Sequence, residues 1–224
     1  LKAIKHYNKA YRSKPSPELI QWFSWCCFLV GKSDMAISLS DQYLRLDPLN
    51  RPYHAASKGL VEFMTGHFER ALHHLSEAYN LSSEASMWQL WKSLALLYND
   101  RINETIEFLS NVVKEPWEDS ISGFLVFLKY LLKGDAEEMR KVLSDELIKS
   151  LQADCQYSWH MASLYSYIND RDRSLEWLEN AVNRGFLNYK MLSEYDPLLK
   201  NIRGDERYKS LMKRVKYEWE NFEV

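Results

Sequence analysis

His73 and His74 are the one histidine pair in the chain, and Glu69 and Glu77 lie at helical spacing from them. Adjacent residues on a helix point about 100° apart, so the two imidazoles are poorly placed to share one ion. Either could be joined by a glutamate four residues away. The residues read better as a solvated helix face than as a metal site. His54, His67 and His160 are isolated. Cys26-Cys27 lies in an apolar helical stretch with no basic residue within four positions, so a packed thiol is expected rather than a nucleophile. Gly31-Lys32-Ser33 lacks the upstream glycine and the strand of a phosphate loop. Asn80-Leu81-Ser82 and Asn103-Glu104-Thr105 spell glycosylation sequons, without a secretory pattern to give them meaning. No paired carboxylates and no Ser-His-Asp arrangement can be placed. The expectation is a non-enzyme with no cofactor and no metal.

Composition narrows the classes further. Lys+Arg 29 against Asp+Glu 31 gives −2, so no strong field directs the chain to nucleic acid or an anionic membrane. No apolar run reaches the roughly 18–20 residues of a membrane span. Three cysteines, Cys26, Cys27 and Cys155, make no disulfide framework and favour a reducing, cytoplasmic setting. Few Gly (7) and Pro (6) favour helix over sheet, and 14 Tyr, 8 Trp and 9 Phe need places in it.

The elements that hold these residues repeat. Gly66 opens a turn that leads to Ala71, Leu75 and Ala78. Gly31 leads likewise to Ala36 and Tyr43, Asp100 to Thr105 and Val112, Gly134 to Met139 and Glu146, and Asn169 to Ser174 and Ala181. The turn positions are 35, 34, 34 and 35 apart. Small residues on one helical face let a neighbouring helix approach, and the large one between them fills the gap. Gly59, Ser24, Ser93 and Ala162 hold the small position of the preceding helices. Repeat four departs, with Phe127 at the small position and Glu146 where Ala is expected, so a distorted helix pair is predicted. The expected division is a solenoid over 1–185, with a partial repeat at 1–17 and repeats at about 17–51, 52–85, 86–119, 120–154 and 155–185. A C-terminal extension follows over 186–224, with a short helix at 188–195 and a capping helix at about 205–222 whose inward residues are Tyr208, Leu211, Val215 and Trp219. Residues 1–17 read as the second helix of a repeat whose first helix lies upstream, with Ala3, Tyr7 and Ala10 on its inward face.

A period of about 34 with two helices per unit resembles the tetratricopeptide (TPR) repeat. Trp177-Leu178-Glu179-Asn180-Ala181, Arg184-Gly185-Phe186, Asp196-Pro197-Leu198-Leu199 and Ile202-Arg203-Gly204-Asp205-Glu206-Arg207-Tyr208 resemble the ends of bacterial signalling proteins. In that group a repeat array follows a serine/threonine kinase, a nucleotide cyclase or a winged-helix domain. The resemblance implies an all-α fold, a right-handed TPR superhelix (an α-solenoid of antiparallel helix pairs) with a C-terminal capping helix. It also implies a sensing or docking module.

In such a superhelix the first helix of each unit lines the concave face. The exposed register would hold Gln21, Trp25 and Phe28, then Leu60, Phe63 and Met64, then Leu90, Leu94 and Tyr98, then Phe124. That groove would be apolar and would suit an amphipathic helix or an apolar peptide. The expected function is a non-catalytic protein–protein interaction or scaffold module of a bacterial regulator, with a protein or peptide partner and no direct contact with nucleic acid or membrane. Trp25→Ala and Phe63→Ala should each weaken the partner while leaving helicity intact. Two alternatives stand beside it. One is self-association, possibly as a homodimer, through outward tryptophans such as Trp91, Trp117 or Trp177. The other is a small-molecule sensor inside the superhelix.

Overall fold

The structure is a computed structural model that describes residues 2–224, and among these residues there are helices and turns but no strand. The α-helices are α1 Lys2–Ser13, α2 Pro17–Leu29, α3 Ser33–Leu46, α4 Arg51–Met64, α5 Phe68–Leu81, α6 Ser86–Tyr98, α7 Ile102–Val112, α8 Ser120–Lys133, α9 Ala136–Val142, α10 Asp145–Ala153, α11 Cys155–Tyr167, α12 Arg171–Asn183 and α13 Glu206–Asn221. Consecutive helices pack on one another: α2 on α3, α6 on α7, α8 on α9 and α11 on α12.

Each hairpin turns through one residue in the left-handed region. Gly31, Gly66, Asp100, Gly134 and Asn169 have φ of 71°, 84°, 58°, 70° and 63°. These are the five turn positions of the repeat. Four of them make the same pair of hydrogen bonds. Gly134 N–H donates to the Leu131 carbonyl at 3.1 Å, and Asp135 N–H reaches back to Tyr130 at 3.0 Å. Gly31 and Lys32, Asp100 and Arg101, and Asn169 and Asp170 repeat the pattern. This is the Schellman arrangement, which satisfies carbonyls that a helix end leaves open. Asp and Asn tolerate the left-handed region better than other non-glycine residues, which is why they can stand in at two turns.

Small residues then set how closely helices approach. Ala71, Leu75 and Ala78 are fully buried, as are Ser174, Leu178 and Ala181. A Cβ on Gly59 would sit 2.6 Å from Leu75 Cγ, so α4 and α5 touch through this pair. Ser24 and Ser174 donate to the carbonyls of Ala36 and Ala162 at 2.8 and 2.7 Å, which satisfies their hydroxyls inside the hairpins.

The chain divides into two compact units. One takes Arg51–Phe63 and His67–Ala153. In it Phe63 stacks edge-on with Phe68 and Trp91 at 5.2 and 5.4 Å and lies 4.7 Å from Tyr98. The repeat-four distortion takes the form of a break. Its second helix splits into α9 and α10, and Ser144 Oγ caps the new start by accepting from Leu147 N–H. Lys129 on α8 pairs with Glu115, whose carboxylate also accepts from Tyr130 at 3.0 Å, and this ties the 113–119 loop to α8.

The other unit takes the chain up to Asn50, Met64–Gly66 and Asp154–Val224. Here the C-terminal extension meets the first hairpin. Leu187 and Asn188 N–H both donate to the Leu29 carbonyl, and the Asn188 amide donates to the Phe28 carbonyl at 3.0 Å. The short helix expected at 188–195 is a π-helical turn, Met191–Tyr195, followed by a 3-10 turn, Pro197–Asn201. Between them lies Asp196, fully buried, which accepts from Trp159 Nε1 and Ser163 Oγ of α11 at 2.8 and 2.7 Å. The Asn201 amide caps the Ser166 carbonyl at 2.9 Å. Helix α13 packs on α12 as a cap should, but it buries Tyr208, Met212 and Val215, with Leu211 half-exposed. Its Trp219 stacks on Tyr189 and donates to the Gly31 carbonyl at 2.9 Å, so it also closes on the first hairpin. The inward face of α1 is one residue off the expected one. Ile4 is buried and Ala3 exposed, while Tyr11 lies against Phe23 and donates to Gln42 at 3.0 Å. The large side chains, rather than the alanines, choose the face.

Two stability predictions follow from these turns and cores. A Cβ at Gly134 would meet nothing within 4 Å, so any cost of Gly134→Ala comes from the left-handed backbone alone. The variant should lose about 1–2 kcal/mol in urea denaturation, and Gly134→Asn less; an unchanged midpoint for both would contradict the turn geometry. His160 is fully buried against Trp159, and burial pushes its imidazole down to about 3 from 6.5. The unfolded chain therefore takes up a proton that the folded chain refuses. The stability this residue contributes is complete above pH 6.5 and is lost as pH falls toward 3, with a limiting slope of about 1.4 kcal/mol per unit. His160→Leu should flatten the stability profile between neutrality and pH 5; an identical slope in wild type and variant would contradict this.

Candidate functional site

His160 and Cys27 are buried, whereas His67 and His73 are exposed. The His73 and His74 rings lie 5.1 Å apart and are tilted by 66°. Burial, with His73 and Lys58 nearby, lowers the His74 pKa, which keeps that ring neutral near neutral pH. His67 Nδ1 lies 3.0 Å from Glu62, and Arg70 meets the same carboxylate at 3.1 Å. Among the described residues no group of three or more His, Cys, Asp or Glu side chains is arranged to hold a metal. Burial pushes the Cys26 thiol up to about 11 and those of Cys27 and Cys155 up to about 12. All three stay protonated near neutrality, and a protonated thiol is a poor nucleophile.

The ten residues expected to line a groove are mostly interior. Phe28, Phe63, Met64, Leu90, Leu94, Tyr98 and Phe124 are buried, none more than 5% exposed. Helices α6, α8 and α11 carry long buried runs, such as Gln156 and Ser158–Ser166 on α11, rather than one buried stripe. A helix buried all round has no face left for a ligand. The reason at Phe28 is visible in the extension, which sits on the carbonyls of Phe28 and Leu29. The ring cluster around Phe63 gives the reason there. Gln21, Trp25 and Leu60 are half-buried and remain within reach of solvent. The tryptophans expected to face outward behave differently again: Trp91 and Trp177 are buried, and Trp117 is half-buried against Gly123.

What α2 does present is Trp22, 46% exposed, beside Gln21 and Trp25. Positions 22 and 25 are one turn apart, so their rings share a face. Ser16 caps this helix by accepting from Leu19 N–H at 3.3 Å, and Pro17 occupies its first turn. The expected register ran through 21, 25 and 28. A wider stripe that admitted 22 would have included the exposed ring. Among the described residues no helix is long and apolar enough to cross a membrane.

Compared with known proteins, the chain matches no family model, and no curated protein matches it.

The burial of Phe63 reverses one expectation. Phe63→Ala should remove a ring from a closed aromatic cluster and cost about 3–5 kcal/mol, seen as a lower thermal midpoint. Trp25→Ala, at a half-buried site, should leave the melt nearly unchanged. Equal midpoints for the two variants would contradict the burial pattern.

Proposed function

We propose that this chain is a non-catalytic protein-interaction module of the tetratricopeptide type, working in a bacterial regulatory protein in the cytoplasm. It takes a helix or an apolar peptide. The observation that supports this reading best is the phase of the turns: five left-handed residues 34 or 35 apart, each followed by a helix, with small residues at the facing positions after Gly66 and Asn169. Helix hairpins that recur at such a period commonly serve as binding scaffolds. Gln21 and Trp25 are accessible members of the expected face on α2, and the exposed Trp22, which that face did not include, lies beside them. Two tryptophans with an amide beside them suit an apolar anchor with one hydrogen bond at its edge.

The test is affinity capture with wild type and with a Trp22→Ala/Trp25→Ala variant whose helicity is first shown to be intact. A specific protein retained by the wild type and lost by the variant supports the reading. Retention by both overturns the assignment of this face. Light scattering over a hundredfold range of concentration separates the alternative: constant mass near 26.6 kDa leaves the face free, and a doubling assigns it to a second copy.

A further inference from the structure

Among the described residues, helix α1 carries a charge pattern found on no other helix. Lys2, Lys5, Lys9 and Arg12 recur at spacings of three, four and three, and Lys14 follows. The first acidic residue is Glu18. On a 3.6-residue helix the four cations fall within an arc of about 80° and a length of about 15 Å. All four are exposed. Among the described residues no carboxylate pairs with any of them, and the Arg12 Nε contact is to the neutral Asn8 amide. Helix α13 is as rich in cations but answers them, with Lys209 on Glu206, Arg214 on Glu218 and Arg207 on Asp172 and Asp205.

We propose that the cationic stripe of α1 is a docking surface for an acidic polypeptide segment, a short run of Asp and Glu in a partner. This rests on the interaction-module reading and names the chemistry of one partner surface. Three observations choose this occupant over other polyanions. The opposite face of α1 is already used, with Ile4 buried and Tyr11 against Phe23, so the helix has no apolar face to insert into a bilayer. Taking the five cations away from 29 Lys+Arg against 31 Asp+Glu leaves the rest of the chain acidic. A long polyanion such as a nucleic acid would run off the stripe into that opposing charge, whereas an extended segment of about five residues spans the roughly 15 Å and stops.

The experiment uses the whole chain and a fluorescein-labelled polyglutamate decapeptide, followed by anisotropy. Binding should be saturable and should weaken steeply between about 50 and 200 mM salt, because exposed charges are screened. Lys5→Gln/Lys9→Gln/Arg12→Gln should reduce affinity about tenfold or more. The variant's circular dichroism should match wild type, since these side chains touch no core. A Lys209→Gln/Lys213→Gln/Lys216→Gln variant changes net charge by the same amount on α13 and should stay near wild type. Equal weakening by both variants would show a net-charge effect and overturn the proposal, as would no binding at all. Tighter binding of a single-stranded decanucleotide, or of vesicles rich in anionic lipid, would reassign the stripe to those partners. Failure here with Trp22- and Trp25-dependent capture intact leaves the module reading standing; loss of that capture with polyglutamate binding intact does the reverse.

Discussion

A helix that ends inside a packed protein must find donors for its last carbonyls, and this chain is arranged around that requirement. At four of the hairpins the first helix meets it locally, through a residue of positive φ whose own N–H and that of its successor fold back onto the preceding turn. The local solution fixes the exit direction of the chain, so the next helix lies back along the first, and small residues at Gly59, Ala71 or Ser174 then decide how near it can come. At the first hairpin local donors are not the whole answer. The Phe28, Leu29 and Gly31 carbonyls also take hydrogen bonds from Leu187, Asn188 and Trp219. The extension acts there as a second set of caps.

Asp196 makes a second tie of the extension, to α11. A carboxylate with no exposure is costly unless its oxygens are answered. Trp159 Nε1, Ser163 Oγ and the Leu198 N–H answer them, and Arg203 donates to the Asp196 carbonyl at 2.9 Å. The residue joins α11 to the extension through bonds of defined direction, which an apolar contact would not supply.

The turns could be read from the amino acids because a left-handed residue restricts side-chain type, and Gly, Asn and Asp carry that restriction openly. The break in repeat four could be read for a related reason: Phe127 and Glu146 are wrong in size and polarity for a close helix contact. Exposure could not be read. Leu90 and Leu94 on α6 recur at the spacing of a groove lining, yet the same spacing describes a buried seam, and nothing local distinguishes them. On α11 the serines and His160 look like a solvated face, although Ser158, His160, Ser163 and Ser166 are buried. Backbone donors such as Leu187 N–H belong to every residue type, so their long-range capping leaves no trace in composition. The stripe on α1 was present in the sequence, but its meaning depended on which face of the helix the protein uses.

The bond between Asn188 and Phe28 joins residues 160 positions apart. A ribosome adding about 5 to 20 residues per second releases the first hairpin roughly 10 to 30 s before the residues that complete its caps exist. Through that interval the Phe28 carbonyl keeps only its local bond from Gly31 N–H, and the bonds that Leu187 and Asn188 later supply to Phe28 and Leu29 are left to water or a chaperone. Completion of this unit therefore waits for the synthesis of residues 187–219, and a truncation at 185 that spares every repeat would still leave the first one unfinished.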